Sequence, residues 1–236
     1  MITALIIDDE RLARKDLRGV LQSFPQIVIA GEAANILEAQ ALIAQLRPEL
    51  LFLDIEMPEG NGFRLLEMLD TTPHVIFTTA YDAYAIRAFE INALDYLLKP
   101  VTENRMREAL ARIPATPPIA PAAGYLSIHE KIFVKDGDRC WFVPLSDIRL
   151  LEAADDYVRL RFGKHAPLLA RSLQSFESKL DPQYFFRASR KHIVNLQHVQ
   201  SVSILPSQLL LMELSDGATV PLSRRQTALF RELRGI

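Results

Sequence analysis

Two rhythms of apolar and polar positions divide the chain. Up to residue 113, short apolar runs at Ala4–Ile7, Ile27–Ala30, Leu50–Leu53, Val75–Thr78 and Leu94–Leu98 alternate with stretches of helical spacing near residues 10–23, 35–46, 62–69, 82–90 and 102–112. Near-continuous apolar strands separated by helices predict a parallel sheet covered on both faces, a doubly wound (βα)5 unit. Asn35 with Glu38 three positions later is a capping-box-like start for the second helix. Beyond residue 124 the helical rhythm nearly stops. Tyr125–Ile128, Ile132–Lys135, Cys140–Val143, Ile148–Leu151, Tyr157–Phe162, Val199–Leu205, Leu209–Leu214 and Thr219–Leu222 are strand candidates, and only Leu173–Leu180 and Arg224–Leu233 have helical spacing. Asp136-Gly137 and Asp216-Gly217 fall between strand pairs, where hairpin turns favour that dipeptide. A mainly β module over 125–236 is expected.

Residues 114–124 read Pro-Ala-Thr-Pro-Pro-Ile-Ala-Pro-Ala-Ala-Gly. Prolines there remove amide donors and bias the chain to extended conformations. The stretch reads as a linker between modules 1–113 and 125–236, able to span about 34 Å at ~3.1 Å per residue.

The balance of 49% hydrophobic and 24% charged residues over 236 positions is that of a globular protein and argues against disorder. No apolar run approaches the ~18 residues a membrane helix needs. The start, Met1-Ile2-Thr3-Ala4-Leu5-Ile6-Ile7-Asp8-Asp9, has no basic leader, so no signal peptide is expected. With Cys140 the only cysteine, no disulfide can form within the chain, and a cytoplasmic location is expected. The net charge of −2 conceals an asymmetry: residues 1–113 carry 11 Lys and Arg against 17 Asp and Glu, and residues 114–236 carry 16 against 12. The first half is suited to a cation and the second to a polyanion.

In an open parallel sheet, ligands bind beyond the carboxyl ends of the strands, where strand order reverses. The first strand is followed by Asp8-Asp9, the third by Asp54, the fourth by Thr79-Ala80 and the fifth by Lys99-Pro100. The second ends in Gly31-Glu32-Ala33 with no matching set, which predicts the order 2-1-3-4-5 with the second strand at the far edge. Two carboxylates 4 Å apart repel by roughly 4 kcal/mol at an effective dielectric near 20. Three need compensation, and a hard cation such as Mg2+, the Lys99 ammonium and the Thr79 hydroxyl supply it. A carboxylate in such company is equipped to accept a phosphoryl group. Singly these residues have ordinary roles: Asp8-Asp9 as a helix cap, Asp54 as a turn acid before Met57-Pro58, Lys99 as a solvated loop lysine. Their joint placement at the ends of four strands is the signal.

This half resembles the receiver domain of two-component response regulators. The resemblance rests on Asp8-Asp9, on Asp54 in Leu-Phe-Leu-Asp-Ile-Glu-Met-Pro followed by Gly62, on Thr79-Ala80, and on Tyr96-Leu-Leu-Lys99-Pro100. It implies that Asp54 takes a phosphoryl group from a sensor histidine kinase. It implies further that Asp9, Asp54 and the carbonyl of Glu56 hold Mg2+, with Asp8 helping through water. Thr79 and Lys99 would contact the phosphoryl oxygens, Tyr96 would turn as a switch, and the Lys99–Pro100 bond would be cis. Receivers of this kind often dimerise through the face of the helix near 82–90 and the strand 94–98, where Tyr84, Arg87 and Phe89 fall. Tyr84 and Phe89 equally suit core positions at helical spacing.

In the second half the positive excess gathers after Tyr184, at Arg187, Arg190-Lys191 and Arg224-Arg225. Ser223 with Gln226 reads as a capping box, which puts Arg224 and Arg225 in the first turn of the last helix. The macrodipole disfavours cations there by a few tenths of a kcal/mol each. An incoming phosphate would explain them, as would a guanine edge; a solvated helix end is the plain alternative. In Phe185–Leu196, the apolar Phe186, Ile193, Val194 and Leu196 would anchor the segment, with Asn195 a structural hydrogen-bonder. His192 and His198 lack the partners of a metal site.

These residues resemble the LytTR DNA-binding domain, through Leu151-Glu152-Ala-Ala-Asp-Asp-Tyr157-Val158, the Phe-x-Arg…Ile-Val-Asn195 segment and Pro221-Leu-Ser223-Arg224-Arg225. The resemblance implies loops inserted into successive major grooves of direct repeats in double-stranded DNA. Arg190, Lys191 and Arg225 would be contacts, with Asp155 on a neighbouring loop. The family usually reads His-Arg-Ser where this chain has Ser189-Arg190-Lys191, a difference that bears on base preference. The expected function is a phosphorylation-controlled, dimerising transcription regulator with no substrate turnover of its own. The alternatives are a receiver-containing adaptor whose output half binds protein or RNA, and a phosphohydrolase using an aspartyl-phosphate.

Overall fold

The computed structural model describes residues 1–58, 60–80, 93–114, 124–137 and 139–234. The expected helix near 82–90, with Tyr84, Arg87 and Phe89, and nearly all of the linker lie outside the described residues. The chain divides into two compact units, Met1–Pro117 with Lys131–Phe142, and Pro118–Glu130 with Val143–Ile236.

In the first unit, strands β1 (Ile2–Ile7), β2 (Ile27–Ala33), β3 (Leu50–Asp54), β6 (His74–Thr79) and β7 (Asp95–Leu98) form a parallel sheet in the order β2-β1-β3-β6-β7. This is the expected 2-1-3-4-5 order. Side chains alternate across a strand, so the apolar runs serve two cores at once. Leu5, Ile7, Leu51, Leu53, Val75 and Phe77 point into one, closed by helices α2 (Ile36–Leu46) and α3 (Gly62–Met68). Ala4, Ile6, Leu50, Phe52 and Ile76 point into the other, closed by α1 (Arg11–Leu21) and the helix Glu103–Leu110. The strands read as unbroken apolar runs because both of their faces are buried. The Asn35 side chain accepts from the Glu38 amide at 2.8 Å, and Glu38 in return accepts from the Ala34 amide. A small ladder, β4 (Glu56–Met57) with β5 (Gly60–Asn61), lies between Asp54 and α3.

A hairpin, β8 (Lys131–Asp136) with β9 (Arg139–Pro144), follows the linker in sequence, and its residues Lys131–Phe142 group with the first unit. Phe133, Cys140 and Phe142 join the core that α2 and α3 close.

The second unit is mainly β. A five-stranded antiparallel sheet runs β12 (Leu168–Leu169), β11 (Tyr157–Phe162), β10 (Ile148–Ala154), β14 (His192–Asn195), β13 (Phe185–Ser189), and a three-stranded sheet runs β15 (Val199–Ile204), β16 (Leu210–Leu214), β17 (Thr219–Pro221). The closing helix Arg224–Arg234 packs Phe230 edge-on against Phe186, ring centroids 5.1 Å apart. Three expectations change here. Tyr125–Ile128 is no strand; Leu126 makes a single bridge to Leu180. The helix expected over Leu173–Leu180 ends at Glu177. Phe185–Ser189 and His192–Asn195, read from sequence as an anchored segment, are paired strands. Consecutive buried Phe185 and Phe186, and a register shift between Arg187 and Ser189, break the period-two pattern that would have shown them.

Candidate functional site

The carboxyl ends of β1, β3, β6 and β7 bring together the residues expected there. The Asp8 amide donates to the Ala33 carbonyl at 3.1 Å, and the Lys99 amide donates to the Thr79 carbonyl at 2.8 Å. These backbone bonds hold the residues just past the strand ends at the level of the sheet. Carboxylate oxygens of Asp8, Asp9 and Asp54 lie within 4.8 Å of one another. The Lys99 ammonium bridges two of these acids, 2.6 Å from Asp8 Oδ2 and 2.6 Å from Asp54 Oδ2. Asp8, Asp54 and Thr79 are buried, while Asp9 is partly exposed. An open cleft of about 500 Å3, lined by Asp9, Glu56, Met57, Pro58, Gly60 and Asn61, meets the cluster at Asp9. Tyr96 is buried on β7 opposite Phe77. The Lys99–Pro100 peptide is cis.

Burial pushes the Asp54 carboxyl above the usual carboxylate range, and Asp8 adds to this, while Lys99 and the Glu56 amide pull the other way. Burial acts downward on the Lys99 ammonium, but hydrogen bonds and charge from Asp54 and Asp8 outweigh it and hold the group above its ordinary value. Lys99 is therefore charged, and Asp54 is a poorly solvated, more basic carboxylate. Glu56 offers no side chain to the cluster; its amide donates to Asp54 Oδ1 at 3.1 Å, and its side chain is exposed.

A brace behind the cluster was not read from the sequence. Arg14 Nη1 donates to the Asp8 carbonyl at 2.6 Å and to the Asp9 carbonyl at 3.3 Å, and its Nε donates to Glu32 on β2. Arg18 also pairs with Glu32. Burial acts upward on the Glu32 carboxyl, but Arg18 and Arg14 outweigh it and hold the group below its ordinary value. Thus the edge strand β2, through Arg14, holds the Asp8-Asp9 backbone at the end of β1. The i, i+4 pair Arg14 and Arg18 was the available signal.

In the second unit the basic clusters converge. Arg190 and Lys191 occupy the turn between β13 and β14, and both are exposed. The Lys191 carbonyl accepts from the Ala153 amide at 2.8 Å, which joins that turn to the end of β10. Exposed Asp155, in a left-handed conformation (φ 52°), follows there. Ser223 donates its amide to the Ala188 carbonyl at 2.9 Å, so the closing helix begins beside β13. Exposed Arg224 and Arg225 stand in its first turn, with the Ser223 hydroxyl accepting from the Gln226 amide at 3.3 Å. Arg187 differs from these. Its Nε donates to the Ser189 carbonyl, its Nη2 to the Arg190 carbonyl, and its Nη1 pairs with Glu177 at 3.0 Å. It shapes the turn that presents Arg190 rather than standing free. Asn195 is fully buried and donates to the Ile148 carbonyl at 2.9 Å. His192 contacts Ser189 and Glu152, and His198 contacts the Ser146 carbonyl.

Comparison with known proteins agrees with both halves. Residues 4–111 match the response regulator receiver domain model, and residues 138–235 match the LytTr DNA-binding domain model. The transcriptional regulatory protein BtsR of Escherichia coli strain K12 is 35% identical over 243 residues, covering 100% of each chain. The chain belongs to the LytTR response regulators. The sensory transduction protein LytT of Enterococcus faecalis is 32% identical over 240 residues, covering 98% of each chain. The receiver domain of AraT, a response regulator from Geobacillus stearothermophilus, is 34% identical with a TM-score of 0.41, covering 47% of this chain and 91% of that one. As a LytTR response regulator, the chain joins a receiver to a DNA-binding output. Among the described residues, no helix is long and apolar enough to cross a membrane.

Proposed function

We propose that Asp54 accepts a phosphoryl group from a sensor histidine kinase, and that phosphorylation favours a homodimer whose output units bind direct repeats in double-stranded DNA and regulate transcription. One observation carries this reading: three carboxylates meet within 4.8 Å around a lysine ammonium at the ends of separate strands. Three carboxylates and one ammonium leave two negative charges, and the donors are hard oxygens, so the set fits Mg2+. Asp9, Asp54 and the Glu56 carbonyl would hold it, with Asp8 assisting through water. A bound ion supplies charge neutralisation for phosphoryl oxygens.

The chain's own residues supply the rest. An Asp54 oxygen bonds to phosphorus as the bond from phosphorus to the donor's imidazole nitrogen breaks, its electron pair remaining on that nitrogen. Burial of Asp54 strips water from the nucleophile. Lys99 leaves its carboxylate partners for the new phosphoryl oxygens, and the Thr79 hydroxyl donates to another. Moving Thr79 inward opens room that the Tyr96 ring fills, which alters the face at β7 where a second receiver docks. In the output unit, Arg190, Lys191, Arg224 and Arg225, with Asp155 beside them, contact DNA phosphates and base edges. Pairing two such units raises the effective concentration at the second repeat.

The test is labelling with a small phosphodonor and Mg2+, read by intact mass. One phosphoryl group per chain is expected, with none in Asp54→Asn and none after chelation of divalent cations. An Asp54→Asn chain that still took up one group would sink the assignment.

A further inference from the structure

We infer that the hairpin Lys131–Phe142 is a coupling element seated on α3, through which the state of Asp54 reaches the DNA-binding unit; this rests on Asp54 being the phosphoacceptor. The carrying observation is the aromatic stack of Phe63 on Phe133, ring centroids 6.0 Å apart and planes at 10°.

By sequence the hairpin lies beyond the linker, and the match to the DNA-binding family begins inside it, at residue 138. Yet it packs with the receiver. Besides the stack, Lys135 pairs with Glu67 of α3 at 3.6 Å, and the Thr72 amide and hydroxyl both donate to the Lys131 carbonyl, at 2.8 and 3.2 Å. Phe142 meets Phe133 edge-on at 5.3 Å. Phe63, Phe133 and Phe142 are all buried. At both ends the hairpin's chain continues directly into the second unit, at Glu130 and at Val143.

Phe63 also packs on β6, the strand that ends in Thr79. Its ring lies 5.1 Å from that of Phe77, two residues before Thr79. The preceding residue, Gly62, donates its amide to the Ile55 carbonyl at 2.8 Å. A Cβ on Gly62 would stand 2.4 Å from the Asp54 carbonyl oxygen, so α3 begins in direct contact with the phosphoacceptor's backbone. Close-packed interiors leave no slack to absorb a displacement. A shift of Asp54 or Thr79 on phosphorylation moves Phe63, and Phe63 moves the hairpin. The alternative is that the stack is only a structural seat, and the two roles separate in measurement: a seat affects stability, whereas a coupler affects the gain in DNA affinity on phosphorylation.

The experiment uses the full chain, with a selected DNA duplex and a small phosphodonor with Mg2+, and scores phosphate incorporation by mass in the same samples. Phe133→Leu keeps an apolar side chain but loses the stack. The ratio of DNA affinities with and without phosphorylation is expected to fall at least threefold, with incorporation at Asp54 unchanged. Lys135→Glu is expected to lower the ratio less, and Glu67→Lys in the same chain to restore it; this pair decides the matter if Phe133→Leu fails to fold. Amides of the hairpin in the unsubstituted chain are expected to change their hydrogen-exchange rates when the donor is added. Normal incorporation with an unchanged ratio in the folded variants overturns the inference and leaves the phosphoacceptor assignment standing. Absence of incorporation in the unsubstituted chain overturns both.

Discussion

The acid cluster of the receiver and the basic rim of the output unit solve opposite problems with the same material. In the receiver, like charges are forced together: Asp8 and Asp54 are buried and share one lysine, and Arg14 holds the backbone carbonyls of Asp8 and Asp9 from behind. In the output unit, Arg190, Lys191, Arg224 and Arg225 are exposed, and water and salt screen their repulsion. There the fold has only to aim them, which it does with backbone bonds, Ser223 to Ala188 and Ala153 to Lys191. Burying the acids fixes a geometry that changes little with solution conditions. Exposing the bases leaves a surface whose strength follows the salt concentration.

That contrast can be broken from either side. The largest effect is expected in the receiver, where Gly62→Ala drives a methyl group against the Asp54 carbonyl oxygen. A loss of about 3 kcal/mol in unfolding free energy is expected, with slower phosphate incorporation; chemical denaturation of the full chain checks it. A chain that lost nothing would mean that α3 can shift away from Asp54. On the exposed side, Arg225→Ala should cost about 1–2 kcal/mol in DNA affinity and lower the salt slope by about one. Arg187→Ala separates aiming from contact. A few-fold loss of affinity with an unchanged salt slope is expected, because Arg187 is held by Glu177 and two carbonyls. A slope lowered by one would place its guanidinium on a phosphate.

The smallest expected effect is a pH response in the output unit. Burial pushes His192 below its ordinary value of 6.5, with Lys191 and Arg161 adding to this and Glu152 opposing it. The unfolded chain then binds the proton more readily, so stability should fall as pH drops below 6.5. Burial acts upward on Glu152, but Arg161, His192 and Arg159 outweigh it and hold the group below its ordinary 4.5. Its contribution is present above that value and is lost at still lower pH. Amide exchange across β10, β11 and β14 between pH 7.5 and 5 reads the first step, and His192→Gln should flatten it.

Much of this was legible in the sequence because the receiver's strands are buried on both faces, and an unbroken apolar run followed by a polar or charged residue marks both a strand and its carboxyl end. Asp8, Asp9, Asp54, Thr79 and Lys99 were found that way. The Arg14–Glu32 brace was not, since it joins a helix to a strand of unrelated register. Phe185–Ser189 escaped because a register shift hides its period. The destination of Lys131–Phe142 was hidden for a different reason. Its alternation fixes it as a hairpin but says nothing of which core it fills, and the prolines before it draw a boundary that the packing does not follow.

The seating of that hairpin has a practical consequence. A receiver trimmed at the proline stretch would leave behind the aromatic lid of Phe63, and the excised piece would present a bare ring beside a charged helix edge. Its stickiness and its switching in isolation would then describe a wound made by the cut.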